Sequence, residues 1–245
     1  MPTVPTPADF SQDLQPVIYL PPNSQPTNVI IFLPGLGDTT ANFASFAKAL
    51  NLPDAVTITL QPPYPLPFPF GPGSQWSDDV QVDTSTGTFD PDSPLTKAAA
   101  QLADLITTLQ STHKFTPPQI HLFGYGQGGS LALTTLLHPA LQDIPSLGGV
   151  TSIGGAIPLA SSAVTSGSKN RTPVLLLGGR RGALAKDEQS PVKRVRDAFE
   201  FVEYHEWRKV DDSMPKNREE ALPMMQFLAR RLRSRRGVPE GAVEL

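Results

Sequence analysis

Residues 119–133 read QIHLFGYGQGGSLAL. An apolar run at 120–123 passes into a stretch that holds Gly124, Gly126, Gly128 and Gly129, and from there into a segment at 130–137 with apolar residues at helical spacing. Glycine lets a backbone reverse sharply and lets a helix lie close against the strand before it. The segment therefore dictates a strand, a tight turn and a helix in immediate succession. A chain carrying that unit is directed toward layered strand–helix architectures.

The rest of the chain agrees. Apolar runs recur at 17–20, 29–33, 55–60, 150–153, 174–177 and 201–206, several of them continuously apolar, as strands buried on both faces are. Helical patterns fall between them at 95–109, 130–137, 192–199 and 224–232. Ser93 and Pro94 offer a hydroxyl N-cap and a proline at the first helical position for the first of these. The alternation predicts an α/β protein with a mostly parallel central sheet and helices on both faces. With 245 residues the chain can build one such domain. We read 1–16 as an N-terminal extension, 17–235 as the domain and 236–245 as an unstructured tail.

The turn has the layout of a nucleophile elbow, whose pattern is G-x-S-x-G. Here it reads Gly124-Tyr125-Gly126-Gln127-Gly128, complete except for the nucleophile. The run GYGQGGSLAL resembles the GFSQGGALAL elbow of the phospholipase/carboxylesterase family, which includes acyl-protein thioesterases. Phe32 to Asp38 (FLPGLGD) resembles that family's FLHGLGD loop, and Gln75 to Asp78 its tryptophan-containing W-x-D segment. Gly149 to Pro158 resembles the strand after the elbow helix, and Val202 to Pro215 aligns without gaps on a VEFHTYPGMGHSIP-type segment. The resemblance covers about 17–235 and implies the α/β-hydrolase fold.

What it implies about chemistry is less ordinary. Ester hydrolysis on this fold needs a serine, a histidine to take its proton and a carboxylate to orient the histidine. The resemblance puts the serine position at Gly126, the acid position at Gly182 and the histidine position at Asp212. The loop histidine becomes Pro34. Glycine has no atom to attack with. An aspartate, with a pKa of about 4 and no second ring nitrogen, cannot stand in for imidazole. By the same resemblance, the backbone N–H groups of Leu36 and Gln127 would form the oxyanion corner, although the glycines around them could equally serve only to close turns. The expectation is a catalytically silent hydrolase-fold protein that binds an acyl or small hydrophobic ligand, or a protein partner.

Ser130 lies in a shifted G-x-S-x-A frame and is the alternative nucleophile, one helical turn past the elbow. His113, His121, His138 and His205 read as structural, and Asp187 as an acid with no histidine to orient. Asp78, Asp79, Asp211 and Asp212 could offer oxygen ligands if they converged, but solvated loop acids are the plainer reading. No metal and no cofactor is expected, since neither glycine-rich turn fits a phosphate-loop or dinucleotide pattern. The proline-rich stretch 62–73 is read as a loop laid over the core by Tyr64, Phe68 and Phe70. Pro34, Trp76, Phe68 and Phe70 are the candidate lining of a cleft. Arg230, Arg231, Arg233, Arg235 and Arg236 read as cations at a helix C-terminus rather than as a nucleic-acid or anionic-surface patch. A net charge of -3 gives no general attraction for nucleic acid. No leader and no apolar span is evident, and there is no cysteine. A cytoplasmic protein is the expectation.

Overall fold

The computed structural model describes residues 2–20, 26–52, 54–68, 70–77, 82–83, 88–89, 93–164, 168–185 and 190–234. Its main sheet has seven strands: β1 (Val17–Tyr19), β2 (Asn28–Leu33), β3 (Ala55–Thr59), β4 (Ile120–Tyr125), β5 (Gly149–Ile153), β6 (Val174–Gly179) and β7 (Val202–Trp207). Each lies where an apolar run predicted it. Their spatial order is β1-β3-β2-β4-β5-β6-β7, with β1 antiparallel to β3 and the other neighbours parallel.

The helices are α1 (Thr40–Ala49), α2 (Thr96–Ser111), α3 (Gln127–Thr135), α4 (Pro191–Ala198) and α5 (Arg218–Arg231). Side chains alternate across the sheet with a period of two. Val29, Ile31 and Leu33 thus join one apolar core with Leu102, Ile106, Leu131 and Val195. Ile30 and Phe32 join a second, with Phe43 of α1 and Met224, Phe227 and Leu228 of α5. Helices therefore cover both faces, which is why most of these strands could be apolar throughout. β1 and β7 are the edge strands, and over 202–205 the exposure of β7 alternates.

Several expectations need adjustment. Helix α1 was not foreseen; its only strong apolar anchors are Phe43 and Phe46 among alanines. α2 begins at Thr96 with Leu95 as N-cap. Ser93 is buried instead, its hydroxyl donating to Ser77 Oγ at 3.0 Å. α5 starts six residues before the expected 224 and carries Pro223 inside it, with Asn217 capping Glu220 N. The stretch before β1 packs on the domain: Phe10 and Leu14 belong to the first core, and Gln61 N–H donates to Leu14 O at 2.7 Å. The expected tail, 236–245, lies outside the described residues.

The proline-rich loop is also corrected. It forms a short hairpin in which Tyr64–Pro65 pairs with Ser74–Gln75. Phe68 is 98% exposed and Phe70 37%, so aromatic burial does not hold the loop down. Half-buried Leu66 turns inward instead, its Cδ1 3.6 Å from where a Gly37 Cβ would stand.

Candidate functional site

Parallel strands deliver their C-terminal ends to one edge of the sheet. The register aligns Leu33 with Gly124, Gly124 with Ser152, and Gly179 with Trp207. At the centre, β4 passes into α3 through Gly126, whose φ of 50° and ψ of −120° are those of a strained elbow apex. Gly126 N–H donates to Ile153 O at 2.8 Å, and Gly126 O accepts from Ser130 N at 3.0 Å.

The glycines beside the apex are required by space. A Cβ on Gly124 would lie 2.5 Å from Gly129 Cα, and one on Gly128 2.5 Å from Pro34 O. A Cβ on Gly155 would lie 2.5 Å from Gly126 O. A Cβ on Gly126 would meet nothing within 4 Å. The turn thus keeps open room where a side chain could project and none anywhere else.

The loop after β2 forms one wall. Buried Pro34 accepts the Trp76 indole N–H at 2.8 Å, and the Gln127 side-chain oxygen accepts the Trp76 backbone N–H at 2.8 Å. Gly37, at φ 79°, donates to Ser74 O at 2.8 Å. Trp76 is only 1% exposed, so it props this rim from beneath. The backbone N–H groups of Leu36 and Gln127 have no acceptor among the described residues.

Asp212, in the loop after β7, reaches the same edge. Its Oδ1 accepts Gly179 N–H at 2.8 Å and its Oδ2 accepts Ala183 N–H at 2.7 Å. Gly154, at φ 68°, faces it: a Cβ there would be 2.9 Å from Asp212 Cβ. Gly154 and Gly155 therefore stand between Asp212 and Gly126. A side chain on Gly182 would run into the Asp212 carboxylate. The Tyr125 hydroxyl is held above its usual pKa, first by burial and then by the charges of Asp212, Asp38 and Asp211.

Gly126, Gly182 and Asp212 thus gather around one edge. The histidines do not join them. His121 is buried in β4, His205 is exposed on β7, and His138 accepts Ala140 N–H beyond α3. His113 packs its Nδ1 against Thr3 Oγ1 at 3.1 Å and its Nε2 3.4 Å from Asp9. Ser130 sits inside α3 with its hydroxyl 3.5 Å from Gly126 O. Asp211 Oδ1 accepts Ser213 N–H at 3.0 Å and also the Ser213 hydroxyl, which hold its carboxyl below the usual range. Asp78, Asp79 and Asp187 lie outside the described residues.

Sequence reasoning missed the Asp212 contacts with the Gly179–Ala183 turn and the role of Gln127's side chain. The paired glycines at 154–155 were the available signal for a crowded edge.

A mostly parallel sheet covered on both faces, with a glycine elbow joining its central strand to a helix, defines an α/β-hydrolase. A family model for phospholipase/carboxylesterase matches residues 16–227, and the chain belongs to that family. An uncharacterized hydrolase of Schizosaccharomyces pombe is 30% identical over 222 residues, 89% of each chain. Zea mays acyl-protein thioesterase 2 superposes with a TM-score of 0.62 at 18% identity, over 88% of this chain and 98% of its own. Arabidopsis thaliana SOBER1 gives 0.65 at 22% identity, over 84% of this chain and 99% of its own. These two structures share the fold. Among the described residues no helix is long and apolar enough to cross a membrane.

Proposed function

We propose that this chain is a catalytically silent member of its family, which uses the inherited edge to bind an acyl or other small hydrophobic ligand. The observation that carries the reading is Gly126: the apex keeps the elbow's backbone angles and open space, but presents no attacking atom. Asp212 supports it. Its carboxylate is committed to two backbone N–H groups, 2.8 and 2.7 Å away, in a role no imidazole would share. Removing the nucleophile or histidine of such a triad lowers kcat by on the order of 10⁶-fold. The N–H groups of Leu36 and Gln127, which have no acceptor among the described residues, remain suited to a carbonyl or carboxylate oxygen.

Ser130 is a poor substitute. Its backbone is bonded into α3, and no histidine hydrogen-bonds it among the described residues. The test is a fluorophosphonate probe together with p-nitrophenyl acetate and octanoate as substrates. The silent reading expects no covalent label and no turnover above the buffer rate. Labelling that disappears in Ser130→Ala would overturn it.

A further inference from the structure

The opposite edge of the sheet holds a second concavity. Strands β4 to β7 begin there and α5 ends over it, enclosing a groove of about 620 Å³, within the range of small-molecule sites. Arg171, Arg230, Arg231 and Arg233 line it, and among the described residues no aspartate or glutamate does. Arg171 is held by Glu200 at 3.2 Å and Arg230 by Glu203 at 2.7 Å. Arg231 has no carboxylate partner among the described residues. Its guanidinium stands 5.4 Å from the Phe227 ring centre, and its Nε is buried with no hydrogen bond among the described residues.

His121 lies under the floor. It is 1% exposed, and neither ring nitrogen has a hydrogen-bond partner among the described residues. Its edge abuts Gly148 of the groove lining, where a Cβ would be 2.5 Å from Nε2, so no side chain separates imidazole from groove. Phe201, 44% exposed, supplies an apolar wall. A half-buried guanidinium with an unpartnered Nε and no carboxylate partner among the described residues favours an anion, and its planar fork fits phosphate oxygens.

We propose that this groove, which Arg171 and Arg230 also line, binds a small organic phosphate, with the phosphate on Arg231 and the apolar body against Phe201. The site is independent of the elbow and of whether the elbow is silent.

The test is calorimetric titration of the full chain with 1-naphthyl phosphate, inorganic phosphate and 1-naphthoate. Naphthyl phosphate binds at least tenfold more tightly than either of the others. Arg231→Gln weakens it at least tenfold, Arg231→Lys by less, and Gly126→Ser not at all. In the wild-type chain, naphthyl phosphate also shifts the His121 imidazole resonances. No binding, equal binding by wild type and Arg231→Gln, naphthoate as tight as naphthyl phosphate, or unmoved His121 signals would each overturn the proposal. So would Arg231-dependent sedimentation with phosphatidic acid vesicles that free naphthyl phosphate does not compete away, since the ligand would then be a membrane headgroup.

Discussion

Asp212 occupies the volume that a side chain on Gly182 would need, and its two carboxylate oxygens hold the turn that contains Gly182. The two positions are coupled by space and by charge. Gly182→Asp alone would crowd two carboxylates together, and overpacking costs about 1–3 kcal/mol before any repulsion is counted. Gly182→Asp combined with Asp212→His replaces repulsion by attraction. In a double-mutant cycle followed by urea unfolding, the pair should be less destabilised than the sum of the single changes. Simple additivity would show that the two side chains do not compete for one space.

The same carboxylate predicts the effect of removing it. Asp212→Ala leaves Gly179 N–H and Ala183 N–H without their acceptor. Stranded donors of this kind cost about 1–3 kcal/mol, less where water can reach them, and Asp212 is half-buried. A loss of about 1–2 kcal/mol is expected for Asp212→Ala, with Asp212→Asn between it and wild type because one acceptor remains. Thermal melts of the three proteins check the order. An alanine variant as stable as wild type would mean the turn holds itself.

The glycines of the elbow should separate sharply under alanine substitution. Gly126 has room for a side chain but sits at φ 50°, so Gly126→Ala meets only backbone strain of roughly 1–3 kcal/mol. Gly128→Ala would press a methyl group into Leu33 and Pro34 backbone oxygens, which cannot rotate away. It should be the more damaging change, and poor soluble expression of Gly128→Ala beside a well-folded Gly126→Ala would show it. Equal behaviour would contradict the crowding around Gly128.

How much of this was legible depended on the range of the signal. The five inner strands declared themselves because both faces of the sheet are covered there, which makes a strand such as 29–33 apolar throughout. The elbow was legible for a similar reason, since its glycines are neighbours in sequence. α1 escaped because alanines carry much of its buried face, as Ala44 and Ala47 show. The start of α5 escaped because Pro223 ordinarily ends a helical reading. Phe68 was misplaced because residue type alone implied burial, whereas backbone pairing holds that loop. The Asp212–Gly182 relation could not be read at all, since it joins positions that meet only once β6 and β7 are laid side by side.

His121 makes stability depend on pH. Burial first, and the nearby Arg231 charge second, lower its pKa from 6.5 to about 4. The folded value lies below the unfolded one, so within that window the unfolded chain binds the extra proton. The stability that neutral His121 preserves is complete above pH 6.5, falls as pH drops toward 4, and changes little from this source below that. At about 1.4 kcal/mol per pH unit, the interval between the two values puts the full loss at roughly 3 kcal/mol. His121→Leu removes the titrating group without breaking a hydrogen bond, because neither ring nitrogen makes one among the described residues. Urea unfolding at pH 7.5, 6, 5 and 4 should therefore show the wild-type chain losing stability faster than the leucine variant, with the two curves diverging below about pH 6.5. Parallel curves would mean that His121 takes up its proton as readily in the folded chain as in the unfolded one, and that the floor beneath the arginine groove is wetter than its burial indicates.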